Sequence, residues 1–230
     1  MIDIVVMTCE RLPLLKQTLE HIRERTTTTY RLHVIDDGST EGNAHYVSGL
    51  LSEGKLASIL LRSERAGIPS SLRAIGGMTT TDPVVFTDDD ILCPRLEPDW
   101  LAQGLEAMGQ FPELGLLALN TPGCNVRQSR GRIVPGDPVT LCRNVPGSFV
   151  FARRAVLATC CPPNNKVQSP VKKMCDLATA QDWQVGYLTH VYCQHVGAIS
   201  VRNSRDLSSD LELVLPIDGD TLEPPEEFRR

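Results

Sequence analysis

The sequence predicts an α/β fold in which a mostly parallel central sheet is flanked by helices. Three observations predict it. The apolar runs of the first half are continuous rather than alternating, as strands covered on both faces require. Segments of helical period separate these runs, so successive strands can pair in parallel through crossovers. Three of the runs end in clusters of polar residues, and open parallel sheets bind ligands beyond the carboxyl ends of their strands.

The elements follow in order. "IDIVVMT" (Ile2–Thr8) is a continuous apolar strand, and Leu12–Arg25 has helical spacing at Leu15, Leu19 and Ile22. Arg31–Asp36 is a second strand, "NAHYVSGLLSEG" a second helix, and Leu56–Arg62 a third strand. A helical segment from Pro69 to Gly76 leads to the strand Pro83–Asp88. Beyond it the pattern is less regular. Leu114–Asn120 reads as another strand, "VPGSFVF" as a tight turn entering a strand, and "YLTHVYC" as a late strand. The expected organisation is one domain over 1–203, in two halves (1–101 and 102–203). An acidic tail with three prolines follows over 204–230.

Composition narrows the function classes. The 230 residues are 41% hydrophobic and 22% charged, ordinary for a globular protein with a sizeable core. A net charge of −5 argues against a general nucleic-acid binder, which would carry a basic face. The first residues have no basic stretch before their apolar run, and no segment is long and apolar enough to span a membrane, so a cytoplasmic location is expected. Eight cysteines are scattered without a CxxC pair, which points to reduced thiols rather than a zinc site. Between Thr121 and Arg154, six arginines face a single acid, Asp137. That local excess suits a surface for phosphate or an anionic acceptor.

The chemistry concentrates at the strand ends: Thr8-Cys9-Glu10-Arg11, Asp36-Asp37-Gly38-Ser39 and Asp88-Asp89-Asp90. Three adjacent carboxylates repel one another unless a positive partner shares the site. Hard divalent cations prefer oxygen, and Mg²⁺ or Mn²⁺ commonly bridges one or two carboxylates to a diphosphate. On an extended turn Asp88 and Asp90 point one way and Asp89 the other, so the outer pair can grip a metal.

Taken together, "VVMTCERLPLLKQTLEHI", "VIDDGST" and "VVFTDDDIL" resemble the successive signatures of GT-A glycosyltransferases, especially family 2. The resemblance covers roughly residues 2 to 101, and it implies a GT-A fold, a nucleotide-sugar donor of UDP or GDP type, and a catalytic domain whose first half (1–101) binds the nucleotide sugar and whose second half (102–203) serves the acceptor. By position it implies that Thr8, Glu10 and Arg11 lie beside the base, and that Asp36 or Asp37 holds base or ribose. Asp88, Asp89 and Asp90 form the DxD element on the diphosphate and metal. Where the family has a glycine and an Ala-Arg-Asn run, this chain offers Gly67 and Arg73, with the arginine one residue late. The family places a histidine before a glycine near the end of the domain, which implies that His195 completes the metal site with Asp88 and Asp90. Gly147-Ser148 resembles the segment that lines the donor sugar.

An inverting transfer also needs a base for the acceptor hydroxyl. Family 2 usually supplies it from a Glu-Asp pair, which is missing here; Gln181-Asp182 is the nearest approximation. "KMCD" followed by "QHVGAIS" is similar to the branching N-acetylglucosaminyltransferases of type IV, which favours Asp176 as base and Asp182 second. The acceptor stays open: a glycan, a lipid-linked intermediate, a protein or a modified base. Alternatives are a nucleotidyltransferase on a related fold, disfavoured because "TCERLPLL" lacks a glycine-rich loop, and a non-catalytic nucleotide-sugar-binding protein. A dehalogenase-type phosphatase would carry its aspartates after the first strand, not the fourth.

Overall fold

The computed structural model describes residues 1–121, 133–162 and 169–196. Its strands are β1 (Ile2–Thr8), β2 (Tyr30–Asp36), β3 (Ser58–Leu61), β4 (Val84–Asp88), β5 (Ile91–Leu92), β6 (Leu114–Asn120), β7 (Ile133–Val134), β8 (Val139–Cys142), β9 (Val150–Ala152), β10 (Gln184–Tyr192) and β11 (Gln194–His195). The helices are α1 (Leu12–Arg25), α2 (Glu41–Ser52), α3 (Ile68–Met78), α4 (Trp100–Gln110), α5 (Arg154–Cys160) and α6 (Pro170–Thr179). Nine strands form one sheet in the order β3-β2-β1-β4-β9-β6-β10-β8-β7, while β5 and β11 form a separate ribbon. Only β9 and β8 run against the others, so the expected mostly parallel α/β sheet is present.

Side-chain alternation on β1 shows how the layers arise. Ile4 and Val6 enter a core packed by α1, α2 and α4, whereas Val5 and Met7 enter the core on the opposite face. That second core holds Leu72 and Ile75 of α3, Val156 of α5 and Met174 of α6. Burial on both faces is why the strand reads as a continuous apolar run. Helix α1 buries Leu14, Leu15, Thr18, Leu19 and Ile22, and Arg23 and Arg25 favour its carboxyl-terminal dipole. Burying one such leucine or isoleucine contributes about 1.5–3 kcal/mol.

Two glycines are required by geometry. Gly38 has φ +79, and a Cβ there would meet Arg65 N and Glu64 C at 2.5 Å. The β2–α2 turn therefore presses directly on the chain leading into α3. Gly67, with φ +82, caps α3 at its amino end.

Two of the six arginines of the arginine-rich stretch are used internally. Arg153 donates to the carbonyls of Leu114 and Met108, and Arg154 to those of Thr79 and Gly76. These two cations fasten β9 and α5 to neighbouring elements instead of forming an anion surface. Arg127, Arg130 and Arg132 lie outside the described residues, as does the tail over 204–230.

Candidate active site

Parallel register brings the three polar clusters to one edge. Thr8 stands opposite Asp36, and Met7 opposite Asp88, so β1, β2 and β4 end level with one another. Asp89 and Asp90 then leave β4 in a turn before β5.

The strand alternation expected for Asp88 and Asp90 stops at this turn. It is Asp89 and Asp90 that share a cation, because Arg11 forks across both. Its Nη2 pairs with Asp89 Oδ1, and its Nη1 lies 2.6 Å from Asp90 Oδ2. Asp89 is fully buried, and its Oδ2 also accepts from Thr8 Oγ1 at 2.5 Å. Thr18 Oγ1 of α1 donates to the Asp89 carbonyl at 2.8 Å. Asp89 thus ties β1, α1 and β4 together from the inside.

His195 closes the cluster. Strand β11 pairs antiparallel with β5, setting His195 opposite Ile91, and Val196 N donates to Asp90 O at 2.9 Å. His195 Nε2 consequently lies 3.2 Å from Asp90 Oδ2. Part of the positive charge that the three acids demand is therefore supplied by the chain itself through Arg11, and His195 adds a hydrogen-bonding partner on Asp90.

The balance is uneven across the triplet. Burial, with Asp90 and Asp89 beside it, pushes Asp88 up to about 7 against the pull of Arg11 and His195. Burial pushes Asp89 up to about 6, opposed chiefly by the charge of Arg11 and the Thr8 hydrogen bond. Asp90 is also desolvated, but the His195 hydrogen bond and Arg11 outweigh this and hold it below the usual carboxylate range. Arg11 is buried too, yet the three aspartates raise its pKa and keep it charged.

Two features suit a hard divalent cation. Asp90 Oδ1 is buried without a hydrogen-bond partner, and Asp88 is short of positive charge. Among the described residues, no three His, Cys, Asp or Glu side chains form a cage of their own. Mg²⁺ and Mn²⁺ sites commonly use one or two carboxylates and take their other oxygens from phosphate and water, so this arrangement fits them.

The remaining residues sort by contact. Asp36 accepts from Ser39 N through Oδ1, while its buried Oδ2 has no partner. Asp37 is used internally: Arg62 and Ala66 N donate to Oδ1 and Gly67 N to Oδ2, which orders the approach to α3. Arg62 was not singled out in the sequence, although an arginine directly after β3 is the visible signal. Glu10, at φ +62, accepts from Thr40 N and Thr40 Oγ1. Arg73 donates to the Pro162 carbonyl at 2.5 Å, linking α3 to the end of α5.

Gly147, which the resemblance sets beside the donor sugar, contacts Asp88 directly. Its carbonyl accepts from Asp88 N, and a Cβ there would stand 3.0 Å from Asp88 Oδ2 and 3.6 Å from Val171 Cγ2. The residue that α6 presents to this point is therefore aliphatic. Asp176 lies five residues further along α6, where it pairs with Lys172 at 2.8 Å and Arg143 at 3.6 Å. It lines an open groove of about 720 Å³ with Arg143, Thr179, Trp183 and Gln184. Asp182 sits at φ +65 in the turn before β10. Because β10 runs parallel to β6 and with β4, its amino end is at the opposite edge of the sheet from Asp88. The structure brings Arg11, Asp88, Asp89, Asp90 and His195 together and leaves both Asp182 and Asp176 apart from them, Asp176 lining its groove beside Trp183 and Gln184.

Comparison with known proteins agrees with this architecture. Residues 3–128, more than half of the chain, match the family described as Glycosyl transferase family 2. The chain belongs to glycosyl transferase family 2. A mannosyltransferase from Pyrobaculum calidifontis, solved with GDP-Man and Mn²⁺, shares its fold at TM-score 0.70 and 19% identity, over 88% of this chain and 58% of that one. S. aureus TarS 1-349 with UDP-GlcNAc aligns at TM-score 0.60 and 14% identity, over 87% of this chain and 61% of TarS. GalNAc-T7 with UDP, GalNAc and Mn²⁺ aligns at TM-score 0.66 and 12% identity, over 84% and 42%. This family 2 chain thus spans less than two thirds of each of these GT-A structures. No functionally curated protein matches it by sequence. Among the described residues, no helix is long and apolar enough to cross a membrane.

Proposed function

We propose that this family 2 protein transfers a sugar from a nucleotide-diphosphate donor of UDP or GDP type to an acceptor hydroxyl. The observation that carries the reading is the Asp88–Asp90 cluster at the carboxyl edge of the parallel sheet, compensated by Arg11, contacted by His195 and still holding a spare buried oxygen on Asp90. The neighbours' complexes with GDP-Man and Mn²⁺, and with UDP-GlcNAc, are consistent with it. Asp88 and Asp90, with His195 beside them, would hold Mn²⁺ or Mg²⁺ against the diphosphate. The ion would supply charge neutralisation to the departing nucleotide.

The chain's own groups do the positioning. Arg11 keeps Asp89 and Asp90 ionised and in place. Asp36, whose buried Oδ2 has no hydrogen-bond partner, would hold base or ribose, while Thr8, Glu10 and Asp37, ordered by their internal bonds, would shape the wall beside it. The acceptor belongs to the half after residue 101. For an inverting transfer, Asp176 is the proposed proton acceptor; the groove it lines includes Trp183 and Gln184 at the amino end of β10, so the acceptor would have to reach from there to the Asp88 edge. The likeness of "KMCD" to the type IV branching enzymes supports the choice of Asp176. A donor-binding protein without transfer is the reading favoured by Val171, the aliphatic neighbour of Gly147 beside Asp88.

Calorimetric titration with UDP-, GDP-, CMP- and dTDP-sugars, each with and without Mn²⁺, tests the donor side. Metal-dependent binding of one nucleotide class is expected; no binding across the panel rejects the transferase reading. Asp176→Asn should then abolish transfer while donor affinity holds. Unimpaired transfer by that variant removes Asp176 from the role, and binding without transfer or hydrolysis in the wild type selects the non-catalytic reading.

A further inference from the structure

We propose that Cys93 and Cys193 are a cross-strand thiol pair that closes into a disulfide and staples the strand carrying His195 to the acid cluster. The argument begins with register. Gln194 stands opposite Leu92 and His195 opposite Ile91 in the β5–β11 ribbon. One step further along the same antiparallel register sets Cys193 opposite Cys93.

The type of pair follows from the hydrogen bonds. Val196 N donates to Asp90 O at 2.9 Å, which makes 90 and 196 a hydrogen-bonded pair. Antiparallel pairs alternate, so 91 with 195 is non-hydrogen-bonded, 92 with 194 hydrogen-bonded, and 93 with 193 non-hydrogen-bonded. Two backbone contacts agree. Cys193 N donates away from β5, to Asn120 O at 2.9 Å, and Cys93 O turns away from β11 to accept from Arg25 Nη1 at 3.1 Å. Non-hydrogen-bonded partners hold their Cα atoms about 4.5 Å apart, with side chains on one face. That spacing falls within the range a disulfide spans, about 4.4–6.8 Å.

Neither cysteine is in a disulfide in this structure and both are buried, with Cys193 Sγ 3.2 Å from Thr121 Oγ1. The closing reaction is two exchanges with a small disulfide such as oxidised glutathione. One cysteine thiolate attacks it, forming a mixed disulfide and releasing one glutathione thiol. The second cysteine thiolate then attacks the protein-bound sulfur and releases the other glutathione. Two protein thiols are oxidised, one glutathione disulfide is reduced to two thiols, and the protons lost from the cysteines end on the released glutathiones. Burial confines the exchange to moments when β11 opens, or to folding.

The staple has a structural consequence at the site. Strand β11 is two residues long, and a short two-stranded ribbon is weak by itself. Cross-linking residue 193 to residue 93 closes a long loop of chain and removes the open state, which keeps His195 on Asp90. The inference rests on the ribbon and not on the transferase reading.

The test uses the full chain, refolded through glutathione buffers stepped from reducing to oxidising, then quenched in acid, alkylated and mapped by peptide mass without reduction. A Cys93–Cys193 linked peptide should accumulate at the oxidising end. The oxidised protein should melt roughly 5–10 °C higher, and the Val196 amide should exchange about tenfold more slowly or better. Cys193→Ser should lose the linkage and both gains; if it fails to fold, Cys93→Ala carries the same comparison, and wild-type mapping needs neither. The proposal is overturned if both thiols stay alkylatable while other cysteines pair. A linkage that lowers the melting temperature, or refolding that fails only under oxidising conditions, overturns it equally.

Discussion

Arg11 pairs with Asp89 inside the protein, at the point where β1 and β4 end together, and extends the same guanidinium to Asp90. An arginine expected beside the nucleotide base is thus first a counter-ion for two buried acids. Removing one partner of such a pair leaves uncompensated charge, which typically costs about 3–5 kcal/mol. Arg11→Met should lower unfolding free energy by about 3 kcal/mol in denaturant titrations and abolish donor binding. Arg11→Lys, which supplies charge without the fork, should fall between. An Arg11→Met protein as stable as wild type would show that the pair does not hold the edge together.

Asp88 should behave in the opposite sense. Its pKa is pushed up to about 7 in the folded protein, above the ordinary value of about 4 for the unfolded chain. The folded state therefore binds the extra proton, and stability contributed by protonated Asp88 is lost as pH rises from about 4 to 7. Asp88→Asn should remove that loss, raising the melting temperature at pH 8 by roughly 2–4 °C for each kcal/mol recovered. The same variant should lose metal-dependent donor binding. A variant that melts lower than wild type at pH 8 would contradict this account.

Gly147 is predicted to matter for function more than for folding. A methyl there would stand 3.0 Å from Asp88 Oδ2, so the carboxylate must shift by a few tenths of an ångström. Placement errors of that size at a reacting site commonly cost about tenfold or more in rate. Gly147→Ala should keep its denaturation midpoint nearly unchanged while kcat/KM drops by about tenfold. Equal activity would mean that Asp88 tolerates the shift.

Much of this was readable from the chain, and what was not has physical causes. Continuous apolar runs placed β1, β2 and β4 and, with the helix spacing of Leu15, Leu19 and Ile22, gave the α/β class. The strand inserted between β4 and β6 is β9, only three residues long, and nothing local announces that it runs antiparallel. Alternation paired Asp88 with Asp90, but a period of two says nothing of the turn at Asp89, where Arg11 bridges Asp89 and Asp90. The site roles expected of Asp37 and Arg73 met internal partners, Arg62 and Pro162, that come from elements distant in sequence. Residue type showed that these groups were polar; only the fold could show what they touch.

Asp3 governs the acid limb of stability. It is buried, which alone would raise its pKa, yet Arg31, the Thr80 and Thr81 amides and His33 pull it well below the usual range. With the folded pKa depressed, the stabilisation is fully present above the unfolded value of about 3.9 and is lost as pH falls through and below it. Asp3→Asn should flatten the decline in melting temperature between about pH 5 and pH 2, and should melt lower than wild type at pH 7. An unchanged acid limb in the variant would move the effect to other carboxylates, with Asp99, also depressed by hydrogen bonds from Ala102, Thr28 and Thr27, the next to test.

Asp182 offers the sharpest separation of structure from chemistry. It holds φ +65, a left-handed conformation in which a Cβ costs about 1–2 kcal/mol and glycine costs none. It also precedes β10, at the sheet edge opposite Asp88. A base must reach the reacting hydroxyl, whereas a turn residue need only accept its backbone angle. Asp182→Gly should therefore raise the melting temperature by a few degrees, about 1 kcal/mol, and leave transfer at the wild-type rate. Loss of transfer with intact folding would assign Asp182 the proton after all, and would require the turn before β10 to reach the acceptor from the far edge.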